Sequence, residues 1–248
     1  MKLEESKIVE MAGMLLEASS ILLKFRKKGF EIHTKSDGTR VCDADIAVNR
    51  YIQEFIDTHY DDVNIISEEG ETTPNPDLLN RNKLCFCIDP LDGTEAYIKG
   101  KDEYTISIGA IAKNNALYGW IAVPAEMAVY YSDQHSIYRL DANDITNLIT
   151  TEFDERYIMP KDSANQIATS LHDNFIFQSS SLKFVTFAQG LGNTFVQTHH
   201  TKIWDVAGGF AILDTMGCTP FSSETHEKVE LNSITIPPFF VNAEEEEF

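Results

Sequence analysis

The chain has 248 residues, 43% of them hydrophobic, enough to bury a sizeable core in one large α/β domain or two closely packed lobes. Its formal charge of −19 argues against a nucleic-acid polymer or an anionic membrane surface as partner.

Residues 3–27 place Ile8, Met11, Ala12, Leu15, Leu16, Ile21, Leu22 and Phe25 at helical spacing and predict an amphipathic opening helix. Its most apolar stretch, 11–25 (MAGMLLEASSILLKF), contains Glu17 and follows Glu4 and Glu5, so it reads neither as a membrane span nor as a secretory leader. The protein is expected to be soluble and cytoplasmic. Lys35–Gly38 predicts a turn, and a second helix runs from Asp43 through Ile56. The period then changes: 63–67 (VNIIS) and 84–88 (LCFCI) predict buried strands with a loop between them. Residues 105–112, 116–123 and 127–132 predict an antiparallel meander. Strands are expected at 136–140, 174–178 and 193–198, helices at 182–190 and 204–216, and one strand, SITI, after residue 221. The terminal EEEEF reads as a solvated tail.

Cys42, Cys85, Cys87 and Cys218 show no metal-binding spacing and read as buried reduced thiols. His199 and His200 lack a Cys or His partner at ligand spacing, so zinc is not expected. Ser179–Ser181 carry no G-x-S-x-G elbow, which argues against a serine nucleophile. Trp204 reads as core.

Three acidic motifs remain: SEEG (Glu68, Glu69), IDPLDGT (Asp89, Asp92) and WDVAGG (Asp205). Singly, each has an ordinary explanation as a solvated loop, a turn or a helix cap. Together they put carboxylates at the ends of core elements, where unpaired charge is costly. Hard cations such as Mg²⁺ need oxygen ligands, and two adjacent ions need bridging carboxylates. Asp89 and Asp92, around a Pro-containing turn, can face one point with the Leu91 carbonyl, joined by Glu68 and Asp205. Gly93 and Thr94 would offer backbone N–H groups to a phosphate at a helix start.

In this order the motifs resemble the signature of the inositol monophosphatase superfamily, lithium-sensitive and magnesium-dependent phosphatases of small esters. The resemblance spans KSDGTRVCDADIAVN to TMGCTPFS and implies a layered α/β/α/β/α sandwich with the site between two lobes, about 1–135 and 136–248. DGTEAYIKGKDEYTISIGAI, VPAEMAVYYS and SSSLKFVTFAQG look most like 3′(2′),5′-bisphosphate nucleotidases. The resemblance implies that Glu68, Asp89 and the Leu91 carbonyl hold one Mg²⁺, and that Asp89, Asp92 and Asp205 hold another. Two or three ions per site are implied, with Mn²⁺ a possible substitute. Asp45 follows Val41-Cys42-Asp43-Ala44, where the family has Val-Thr-Ala-Ala, and is implied to pair with Thr94 in activating water. Lys183 in SSSLKF is a candidate phosphate contact by charge and by resemblance.

Two departures bear on substrate. Phe195-Val196-Gln197 stands where the nucleotidases commonly have Tyr-Pro-Arg, and Ile203 where they often have Glu. The expected substrate is a small phosphate monoester, adenosine 3′,5′-bisphosphate first. An inositol or sugar phosphate is the alternative, and a catalytically silent metabolite sensor is a further one. Monomer and homodimer both remain open.

Overall fold

The computed structural model describes residues 2–35, 38–70, 73–150, 152–161, 163, 173–178 and 181–243. The EEEEF tail, Ser179, Ser180 and the middle of the Lys35–Gly38 turn lie outside them. The opening helix α1 spans Glu5–Lys28 and buries Ile8, Met11, Leu15 and Leu22 on one face, as its periodicity predicts. A short hairpin, β1 (Ile32–Thr34) and β2 (Arg40–Cys42), leads into helix α2 (Asp43–His59). The hairpin was not expected, because β1 is exposed throughout and carries no apolar alternation.

Next come β3 (Asn64–Ser67), β4 (Cys85–Asp92), helix α3 (Thr94–Ile98), β5 (Thr105–Ala112), β6 (Asn115–Val123), β7 (Ala128–Ser132), β8 (Ile137–Leu140) and β9 (Ile145–Leu148). These strands form one sheet in chain order, with β3 and β4 parallel and the rest an antiparallel meander. The expected meander is present, and the sheet continues past residue 135 through β8 and β9.

Strand alternation divides the interior into two cores. Phe86, Ile88, Tyr118 and Trp120 face α1 and α2, whereas Cys85, Cys87, Ile121 and Val123 face the other way. Trp120 Nε1 donates to the Ile8 carbonyl at 3.0 Å, tying α1 to the sheet.

The second half supplies β10 (Tyr157–Pro160), β11 (Phe175–Gln178), helix α4 (Leu182–Ala188), β12 (Thr194–Gln197), β13 (Thr201–Lys202), helix α5 (Ile203–Thr215), β14 (Phe221–Ser222), β15 (Thr235–Ile236) and β16 (Phe239–Asn242). A second sheet runs β11-β10-β12-β16-β14, parallel across β11, β10 and β12 and antiparallel beyond. Residues 221–248 thus hold more strand than the single SITI expected; β14 and β16 are short, and their pattern is broken by Pro237 and Pro238. Helices α4 and α5 lie between the sheets, sharing one core with Ile158, Phe195, Phe239 and Val241. The described layers therefore stack α/β/α/β, the first four of the five layers expected; no outer helix on the second sheet is found among the described residues.

Candidate active site

The acidic motifs meet where the large sheet faces α5. Glu68 follows β3, Asp89 and Asp92 lie on β4, and Asp205 sits in the first turn of α5. Single oxygens of Glu68, Asp89 and Asp205 all lie within 4.8 Å of one another. Asp92 stands beside this triad and outside that set.

Asp89 and Asp92 do not leave the strand through a turn, as the Pro suggested; they remain within β4. Residues three apart on a regular strand point to opposite faces. Here Asp89 pairs with Ser107 and Asp92 with Thr105, so three steps on β4 match two on β5. The extra residue is a bulge at Pro90 and Leu91, and it lets both carboxylates serve one site.

Protein donors hold each carboxylate by one oxygen. Asp89 Oδ1 accepts the Leu91 N–H at 3.0 Å. Asp92 Oδ2 accepts the Ser181 N–H and its hydroxyl, the latter at 2.5 Å, and the Thr105 hydroxyl at 3.4 Å. Asp205 Oδ2 accepts the Lys202 N–H at 2.8 Å and the Thr201 hydroxyl. Asp205 is therefore a cap for α5 as well as a member of the cluster, and the two readings of it are compatible.

Thr94 opens α3 after Gly93. Its hydroxyl lies 2.9 Å from the Leu91 carbonyl and 3.1 Å from Asp45 Oδ1, with either oxygen as acceptor. Asp45 is only 1% exposed, and its second oxygen accepts the Cys42 N–H at 2.9 Å and the Cys42 thiol at 2.7 Å. Burial raises the Asp45 pKa, opposed by the bonds from Cys42 and Thr94.

The cluster is electrostatically strained. Burial, reinforced by Asp205, Glu69 and Asp92, lifts Glu68 to about 7 despite Lys35. Asp205 rises to about 6 through burial and Asp92, against Thr201, Lys202 and Lys183. Asp89 is held well above the carboxylate range by burial first, then by Glu68, Asp92 and Asp205. An all-oxygen donor set with several uncompensated negative charges fits a hard divalent cation.

A stability prediction follows from these directions. Acids with raised pKa bind more protons folded than unfolded, so stability falls as pH rises from the ordinary carboxylate range to about 7. The metal-free protein should therefore melt at a higher temperature near about pH 5 than near about pH 8. Mg²⁺ should raise the melting temperature more at the higher pH, where the carboxylates are ionised. Equal Mg²⁺ shifts at both pH values would contradict this.

A cleft of about 360 Å³ is lined by Glu68, Asp89, Asp92, Thr94 and Asp205 together with Lys183, Gln197 and His199. Lys183, at the start of α4, is 4% exposed, with its ammonium 5.8 Å from the Phe195 ring centre. Gln197 donates to the His199 carbonyl at 3.3 Å. Trp204 is 8% exposed and belongs to the core, as expected. The four cysteines are free and buried.

Several supporting residues escape a motif reading. Ser181 clamps Asp92 from a segment whose polarity looks like any loop. Lys35 pairs with Glu68 at 3.4 Å and Glu69 at 2.5 Å, a contact no spacing rule reveals. Cys42, three residues before Asp45, does carry a signal, since that spacing is the one a helix capping box requires.

A sandwich of this kind carries, at the junction of β4 and α5, an all-oxygen carboxylate cluster of the sort that metal-assisted phosphoric monoester hydrolysis requires. The inositol monophosphatase family model matches residues 3–236, and the chain belongs to that family. The 3′(2′),5′-bisphosphate nucleotidase CysQ of Haemophilus influenzae is 25% identical over 229 residues, covering 85% of this chain and 82% of that protein. The crystal structure of CysQ from Bacteroides thetaiotaomicron superposes with a TM-score of 0.75 at 20% identity, covering 98% of each chain. A structure of IMPase/NADP phosphatase complexed with Mg²⁺ and phosphate gives a TM-score of 0.72 at 14% identity, over 96% of this chain and 91% of that one. Among the described residues, no helix is long and apolar enough to cross a membrane.

Proposed function

We propose that the chain is a magnesium-dependent phosphatase of small phosphate esters, with adenosine 3′,5′-bisphosphate as substrate and AMP and phosphate as products. The observation that carries this reading is the convergence of Glu68, Asp89 and Asp205 within 4.8 Å from three separate elements. Glu68, Asp89 and the Leu91 carbonyl would hold one Mg²⁺, and Asp89, Asp92 and Asp205 a second, with Mn²⁺ a substitute. Held by these residues, such ions would neutralise the carboxylates and polarise the phosphoryl group.

The remaining work falls to the chain's own side chains. Donating to Asp45, the Thr94 hydroxyl keeps its lone pairs for a proton of the attacking water, which passes on to Asp45. The raised proton affinity of buried Asp45 suits it to that role. As the water oxygen bonds to phosphorus, the ester P–O bond breaks, and the departing oxygen takes a proton from solvent. Backbone N–H groups of Gly93 and Thr94, with the Lys183 ammonium, supply donors to the phosphate. The four free, buried cysteines fit a reducing, cytoplasmic compartment.

Thr94→Ala should lower kcat by roughly a hundredfold or more, the usual scale of positioned proton transfer, with a much smaller change in Mg²⁺ affinity. Full activity of the variant would remove Thr94 from the mechanism.

Gln197 favours the second reading, an inositol or sugar phosphatase. It lines the cleft where the nucleotidases commonly carry arginine, and an amide lacks the bidentate, charge-assisted grip on a second phosphate. Phosphate release from adenosine 3′,5′-bisphosphate, inositol 1-phosphate and sugar phosphates, with Mg²⁺ and with EDTA, tests the proposal. Gln197→Arg should raise kcat/KM for the bisphosphate relative to inositol 1-phosphate. A wild-type preference for inositol phosphate with no gain from arginine would favour the second reading. No Mg²⁺-dependent release from any ester would favour a sensor.

A further inference from the structure

A second concavity of about 780 Å³ adjoins the cleft, sharing Glu68, Gly93, Thr94 and Lys161 with it. Its own walls bring Arg40 from β2, Lys99 from the end of α3, and Lys101 beyond it. Four cations against the carboxylates of Glu68 and Glu95 is an unusual local balance in a chain of net charge −19. Arg40 and Lys99 both pair with Glu95, so two cations share one carboxylate there. Lys161 pairs with Glu103, which does not line the basin.

We propose that this basin is an anion subsite that receives the inorganic phosphate product. The inference rests on the phosphatase reading. In-line displacement puts the attacking water and the leaving oxygen on opposite sides of phosphorus. Thr94, which handles the water, lines both spaces, whereas Asp205 and Lys183 line only the cleft. Phosphate gains its new oxygen on the Thr94 side as the alcohol departs toward Asp205. The two products thus part in opposite directions, and the space on the Thr94 side is the cationic one. Lys161, at the boundary, can contact the anion in either position. A phosphate dianion also offers Arg40 and Lys99 more acceptor oxygens than the single carboxylate they share.

The test uses two full-length variants of opposite sign. Lys99→Gln/Lys101→Gln removes two exposed cations, and Glu95→Gln removes the carboxylate that competes with phosphate. With Mg²⁺ present, the inhibition constant of inorganic phosphate should rise about three- to tenfold in the Lys99→Gln/Lys101→Gln protein and fall in Glu95→Gln. Calorimetric titration with inorganic phosphate should move in the same directions. Unchanged phosphate inhibition and binding in both variants would overturn the proposal. So would a lysine variant in which only KM for a bisphosphorylated substrate rises, since the basin would then hold the substrate's second phosphate. Failure of the wild type to hydrolyse any ester would instead overturn the phosphatase reading, and the titration would still report on the basin.

Discussion

Asp89→Asn should abolish phosphate release, by roughly a thousandfold or more, and leave the fold intact. Asp89 is 2% exposed, lies within 4.8 Å of ligand oxygens from both Glu68 and Asp205, and is the one carboxylate assigned to both ions. The amide keeps the side chain's shape and its carbonyl oxygen, so the bond from the Leu91 N–H can survive. What it removes is a charge, and that charge acts in opposite ways with and without metal. Without Mg²⁺, Asp89 is a buried carboxylate surrounded by Glu68, Asp92 and Asp205, so neutralising it should raise the melting temperature. With Mg²⁺, the same change weakens the site, and the stabilisation by bound metal should shrink. The experiment pairs turnover with melting curves in Mg²⁺ and in EDTA. An Asn variant within tenfold of wild-type turnover would reject Asp89 as a bridging ligand. A variant that is inactive and also less stable in EDTA would mean that lost folding explains the inactivity.

The contrast between motif and support explains what the sequence made legible. Glu68, Asp89, Asp92 and Asp205 stand out because acids at the ends of several apolar runs, each ordinary alone, are costly to explain together, and the structure puts all four at one cleft. The helices α1 and α2 were legible because each buries one face and burial imposes a period, whereas α5 and the meander β5–β7, buried on nearly all sides, were legible as apolar runs bounded by turn signals. The strands that escape such a reading, β1, β2, β9, β10, β13, β14 and β16, are short, each of four residues or fewer. β1 and β9 pair with chain neighbours but are almost wholly exposed, whereas β10, β13, β14 and β16 pair with strands distant in sequence, so local pattern carries little of either. Ser181 and Lys35 were missed for the same reason, since each acts across at least 33 residues of sequence. The strand bulge was misread as a turn because Pro90 signals both, and only the pairing partner β5 distinguishes them.

The glycines of WDVAGG give the motif a packing role that its carboxylate alone does not suggest. On the sheet side, Gly109 of β5 pairs with Gly119 of β6, making a flat place on which the α5 backbone lies. A Cβ on Gly119 would sit 2.0 Å from the Gly208 carbonyl oxygen, and one on Gly109 would sit 2.4 Å from Ala207. On the opposite side, a Cβ on Gly209 would strike the Phe184 ring at 2.2 Å. Helix α5 is thus held against the sheet by α4, and that approach brings Asp205 to Asp89. Gly119→Ala should therefore do two things at once. It should destabilise the protein by about 1–3 kcal/mol or more, because the obstructing atom is backbone and cannot rotate away. It should also weaken Mg²⁺ binding by far more than an ordinary core substitution, because α5 must shift and Asp205 moves with it. Gly13→Ala, in α1 with nothing within 4 Å of the added carbon, is the control. There alanine should stabilise by up to about 1 kcal/mol, with Mg²⁺ affinity unchanged. Melting curves and Mg²⁺ titrations of both variants decide the matter. A Gly119→Ala protein that loses stability yet binds Mg²⁺ like the wild type would show that the α5 approach serves the core alone and does not set the position of Asp205.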